Sequence, residues 1–109
     1  MDIDAIPGKL VRDLIPAIIV KAGGQPQTRV LDSSQFHQAL IDKLLEESHE
    51  VSEADHAHLA EEIGDVLEVL RSLAEHAGIP WSDVESARED KLQARGGFSN
   101  RVWLVASSG

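Results

Sequence analysis

Two groups of carboxylates lie close together in KLLEESHEVSEADHAHLAEEIGDVLEVL, residues 43–70: Glu46, Glu47 and Glu50, then Glu61, Glu62 and Asp65. The first group reads E-E-x-x-E and the second contains E-x-x-D. Residues three apart on a helix are surface neighbours, with Cβ atoms about 5–6 Å apart, so Glu47/Glu50 and Glu62/Asp65 each form a two-carboxylate claw. Antiparallel helices packed about 8–10 Å apart would bring the claws face to face. Like charges at that range raise one another's pKa and destabilise a fold unless a cation joins them. Oxygen-only donors suit Mg²⁺, with Mn²⁺ as the alternative, rather than zinc, and such a site takes water or phosphate oxygens as its remaining ligands. Against this stands the ordinary reading, in which acidic residues line solvated helix faces. Placement favours chemistry: Glu47 continues the apolar stripe Phe36, Leu40, Leu44, Val51, and a carboxylate on such a stripe points inward.

Positioning the claws requires two consecutive helices and a reversal. Asp32, Ser33 and Ser34 offer N-cap oxygens, and Asp32 to Gln35 has capping-box spacing, so a helix is expected over residues 35–51. Ser52 and Asp55 are candidate caps for a second helix reaching about residue 77, with Leu59, Ile63, Val66, Leu70 and Leu73 inward and Gly78 as the stop. Upstream, KLVRDLIPAIIVKA (9–22) has helical apolar spacing broken by Pro16. The proline predicts either a kink or a helix starting near Leu14 with Pro16 in its first turn. Downstream, Ser82 and Glu85 have capping-box spacing for a last helix closed by Gly96 and Gly97. FSNRVWLVA (98–106) alternates like a strand and could pair with a short extended stretch at residues 27–31. The expected fold is therefore all-α: an antiparallel bundle of about four helices with a short C-terminal strand.

At 109 residues the chain is expected to be a single domain spanning 1–109. A net charge of −9 disfavours a nucleic-acid or anionic-membrane surface, which needs clustered cations. There are no cysteines, which removes thiolate sites and disulfides. No apolar run approaches the roughly 20 residues of a membrane span, and MDIDAIPGKL lacks a signal-peptide core, so a cytoplasmic location is expected.

Four motifs in order, KLVRDLIP (9–16), KLLEESHE (43–50), EEIGDVLEVL (61–70) and K-x-x-x-R-G-G-F (91–98), give the chain a resemblance to the MazG-like branch of the all-α nucleoside triphosphate pyrophosphohydrolases. That superfamily also holds phosphoribosyl-ATP pyrophosphohydrolase and dimeric dUTPases. The resemblance implies Mg²⁺ ligands at Glu47, Glu50, Glu62 and Asp65, with Glu46 as an additional ligand or a support behind them. It implies cleavage between the α and β phosphates of a nucleotide triphosphate, giving a monophosphate and pyrophosphate, and a role in removing aberrant nucleotides. Lys91 and Arg95, spaced i to i+4, would face one way from the last helix and neutralise the outer phosphates. Phosphoribosyl-ATP as substrate, or a non-catalytic helical module that binds a nucleotide or partner, are the competing readings. The sequence departs from the family pattern at Leu14 and Ala17, apolar where many relatives are charged, a change that bears on surface or subunit packing.

Lys9 and Arg12, in the opening motif, are candidate phosphate ligands, although Arg12 could simply pair with Asp13. Lys43 is expected to pair with Glu46 or Glu47. His56 and His58 diverge by about 200° on a helix and make no claw. Trp81 and Trp103 read as core or interface anchors. Leftover apolar faces on so small a bundle predict a homodimer or higher homo-oligomer.

Overall fold

The computed structural model describes residues 7–108 and forms four helices among them: α1 (Ile15–Lys21), α2 (Ser33–Glu53), α3 (His56–His76) and α4 (Trp81–Arg95). The fold is all-α. α1 takes the second of the two forms that Pro16 allowed, a short helix with the proline in its first turn, where the missing N–H costs nothing.

Asp32 starts α2 as its spacing predicts. Its carboxylate accepts the Gln35 N–H at 2.8 Å, and Gln35 Oε1 accepts the Asp32 N–H at 3.1 Å, closing both halves of the capping box. Asp55 caps α3 by accepting the His58 N–H at 3.0 Å. Ser52 stays inside α2, its hydroxyl donating to the His49 carbonyl. Gly78, at φ 73°, supplies the left-handed turn that ends α3. We expect Asp32→Ala to lower stability by about 1 kcal/mol, the ordinary worth of an N-cap, read as a shift in the urea midpoint without loss of helix content.

α2 and α3 form an antiparallel hairpin. The start of one meets the end of the other, where His76 Nε2 lies 3.3 Å from Ser33 Oγ and the Phe36 ring meets the His76 ring edge-on at 4.9 Å. Between them Ala39, Leu40, Val69 and Ala74 are the buried apolar residues. α4 packs on α3 near its own beginning, with the Arg71 guanidinium 4.7 Å above the Trp81 ring. Trp81 and Val84 are half-buried, and every residue from Glu85 onward in α4 is exposed. α1 packs along no other helix.

Three expectations need correction. The strands at residues 27–31 and 98–106 do not form, because neither finds a ladder partner in this chain and a lone extended segment is not a sheet. Ile63 and Leu70, expected inward, are exposed, since α2 covers only part of the apolar arc of α3 and the row Val66, Val69, Leu73 takes the inner position. Ser82 does not cap α4, which begins one residue earlier at Trp81 with Pro80 at its N-cap and no side-chain cap.

Candidate metal centre

The hairpin sets one face of α2 against one face of α3, and the acidic clusters meet there. Glu47 from α2 and Glu62 and Asp65 from α3 each offer a carboxylate oxygen, and the three oxygens lie within 4.8 Å of one another. All three residues are half-buried. Glu47 is there because it continues the stripe that carries Leu40 and Leu44 toward α3. Glu62 and Asp65 are there because they flank Val66 on the inner side of their helix.

Each end of this triad carries a cation. Lys43 Nζ sits 3.5 Å from Glu47 and 3.6 Å from Glu46, the expected helical pairing. Arg12 Nη2 donates to Asp65 Oδ1 at 2.8 Å. The Glu62 side chain has no ion pair or hydrogen bond among the described residues. Partial burial first, and then the charges of Asp65, Glu50, Glu47 and Glu61, hold its pKa above the ordinary glutamate value. The donor set is oxygen-only, anionic and short of one positive charge, which fits a hard divalent cation.

The folded chain therefore keeps the Glu62 proton to higher pH than the unfolded chain does. Across the window from the ordinary glutamate range up to the raised value, the folded state binds more protons, so stability falls as pH rises. Below that window the penalty is absent. We expect the metal-free protein to lose stability through this window, Glu62→Gln to flatten the loss, and a divalent cation to reverse it, read as urea midpoints over a pH series.

The other candidates are placed differently. Glu50 is exposed and stands outside the triad, acting on Glu62 through its charge alone. Glu46 is exposed beside Lys43. Lys9, Arg12, Lys43 and Glu46 all line an open cavity of about 950 Å³ between residues 7–31 and α2. Lys91 and Arg95 lie on the exposed far half of α4 and make no ion pair with the described residues. The pairing of Arg12 with Asp65 rather than Asp13 is what sequence reading missed, since its partner lies 53 residues away and no local spacing announces it. The only signal was the place of Arg12 in the opening motif. His58 turns back to Asp55 at 2.7 Å and does not approach the triad.

A helical hairpin that gathers carboxylates from both of its helices defines a class of all-α proteins with an acidic cluster between two facing helices. Within that class the chain belongs to the MazG nucleotide pyrophosphohydrolase family: the model for the MazG nucleotide pyrophosphohydrolase domain matches residues 35–97. The match takes in nearly all of α2, all of α3 and α4, and every carboxylate of the site. No curated protein and no solved structure matches the chain significantly. No helix among the described residues is long and apolar enough to cross a membrane.

Proposed function

We propose that the chain is a Mg²⁺-dependent pyrophosphohydrolase that cleaves a nucleotide triphosphate between its α and β phosphates, as one domain spanning residues 1–109. The observation that carries this reading is the half-buried triad of Glu47, Glu62 and Asp65, which lies inside the segment matched by the family. In this reading Glu47, Glu62 and Asp65 hold the ion, with Glu50 joining from the rim and Glu46 backing them through Lys43. Mn²⁺ would satisfy the same donors. A bound ion of this kind supplies a lower pKa for attacking water and neutralises charge growing on the phosphoryl oxygens.

The chain's own residues bind and orient the substrate. Arg12 and Lys9, at the polar end of the open cavity, take phosphate oxygens beside the triad. Lys91 and Arg95 face solvent from α4, and they serve the outer phosphates if the nucleotide or a neighbouring protomer brings the two together. The protein works as a homo-oligomer, most simply a dimer. Ile63, Leu67 and Leu70 form an i, i+4, i+7 stripe on α3 that the described residues leave exposed. The biological purpose that the family resemblance implies is disposal of aberrant nucleotides.

The test is direct. The protein is incubated with Mg²⁺ and a panel of ordinary, deoxy and damaged nucleotide triphosphates, together with phosphoribosyl-ATP, and pyrophosphate is followed. Pyrophosphate and a monophosphate are the expected products. Single-phosphate release, or no turnover of any member of the panel, overturns the mechanism.

A further inference from the structure

The chain is more open than its size requires. Its radius of gyration is 18.4 Å, whereas a compact chain of this length has about 13 Å. It exposes 9276 Å², against about 5,900 Å² for a folded monomer of its mass. The excess, roughly 3,400 Å² per chain on that scaling, is more than the roughly 1,000–2,500 Å² per partner that permanent subunit interfaces cover.

Two segments stand out within that excess, and both lie outside the region the family model matches. Residues 25–31 and 102–108 belong to no helix or strand, and neither segment makes a backbone hydrogen bond with the described residues. Large apolar side chains in them are open: Val30 is 97% exposed and Trp103 is 85% exposed. Val102, Trp103, Leu104 and Val105 are consecutive, so a strand through them is apolar on both faces, the pattern of a strand covered from both sides. Left in water, such a segment is an aggregation hazard.

The cover does not come from the same chain by the simplest path. The open cavity is walled by residues 7–31 and the first half of α2, where Ile15, Ile19, Val30, Phe36 and Ala39 make its apolar end. The C-terminal segment leaves from the far end of α4. α3 stands between α2 and α4, which do not pack on one another.

We propose that residues 102–105, beyond the turn that joins the Arg101 N–H to the Phe98 carbonyl, are an exchange arm, which in a homodimer lies along residues 27–31 of the second copy as an added strand and closes the apolar end of its cavity. This deepens the homo-oligomer reading above and rests on it. Main-chain pairing supplies register, and the alternate apolar side chains supply the burial. The two stretches that have strand character but no strand partner within one chain then partner each other between chains. The polar end of the cavity, with Lys9 and Arg12, stays open to the substrate.

The experiment uses the full chain with Trp81→Phe, which leaves Trp103 as the one tryptophan. Light scattering gives the mass while Trp103 emission and acrylamide quenching give its exposure across a dilution series. The expected result is a dimer with blue-shifted, shielded Trp103 that becomes quenchable as the dimer dissociates. In the chain with Trp81 restored, Trp103→Ser should raise the dissociation constant at least tenfold with unchanged helix content. Because the natural chain has no cysteine, Val30→Cys and Leu104→Cys chains provide a second measurement that does not touch Trp81. Mixed and oxidised, they should give a covalent dimer joining one of each, and the chain carrying both cysteines should cross-link between chains rather than within one. A dimer with freely quenched Trp103 overturns the arm and leaves the oligomer standing. A monomer with shielded Trp103, or a bond within one chain, places the arm on its own cavity and overturns the exchange. A monomer with exposed Trp103 overturns both readings.

Discussion

Asp65→Asn removes pyrophosphate release by roughly a thousandfold or more, because a metal-held phosphoryl transfer draws several kcal/mol from charge stabilisation and each 1.36 kcal/mol is tenfold in rate. Glu47→Gln has the same effect. Both substitutions keep the shape of the side chain and remove its charge, so the loss reports on the cation site rather than on packing. The metal-free fold survives. The Asp65 ion pair with Arg12 is partly exposed, at 34% and 61%, and such pairs contribute less than about 1 kcal/mol. Glu62, relieved of one negative neighbour, sits in a less repulsive field in either variant. Three measurements on one preparation decide the matter: helix content by circular dichroism, cation affinity by calorimetry, and pyrophosphate release. Unchanged helix content with weakened cation binding and lost turnover is the expected combination. Turnover within tenfold of the parent would move the ion to other residues.

The hairpin that builds the site was legible because its signals are local. Asp32 and Gln35 are a capping box three residues long, Asp55 is a cap beside its own helix, and the α2 stripe from Phe36 to Val51 repeats at the helical period. Each needs only its own neighbourhood, and each formed as the spacing predicts. Glu47 was legible for the same reason, as a charge on an apolar stripe. The failures share the opposite character. Ile63 and Leu70 carry helical periodicity but belong to an arc wider than one partner helix covers, and periodicity does not say which part of an arc is met first. Trp81 begins α4 ahead of Ser82, where a guanidinium from α3 stacks on its ring, so a contact between helices overrides the local cap. The alternation in residues 98–106 has the period of a strand, but no strand forms there, because the pattern does not say where a partner strand comes from. Glu50 is exposed and outside the triad, yet its charge reaches Glu62, and spacing alone does not say how far a second member of a claw turns toward the neighbouring helix.

Arg12 presents the sharpest division between structural and functional roles, because its guanidinium lies 2.8 Å from Asp65, one of the proposed ligands. If Arg12 only steadies Asp65, its removal weakens cation binding and leaves nucleotide binding to follow. If it serves the phosphates, its positive charge repels the cation while the substrate is absent, and its removal strengthens cation binding while nucleotide binding suffers. The second outcome is expected. Arg12 lines the open cavity together with Lys9 and Lys43 and also reaches Asp65, so it is the residue that links the cationic wall of the cavity to the triad. A hydrogen bond between charged groups is worth about 1.5–3 kcal/mol, which sets the fall in kcat/KM for Arg12→Ala at about 10- to 100-fold. Arg12→Lys should recover part of the loss, since it restores the charge without the two-pronged geometry that matches a phosphate. Stability of the metal-free protein should change by less than about 1 kcal/mol in either variant. Cation affinity measured without nucleotide, set beside KM measured with it, separates the two roles: both weakened in parallel assigns Arg12 to holding Asp65, and opposite movement assigns it to the substrate.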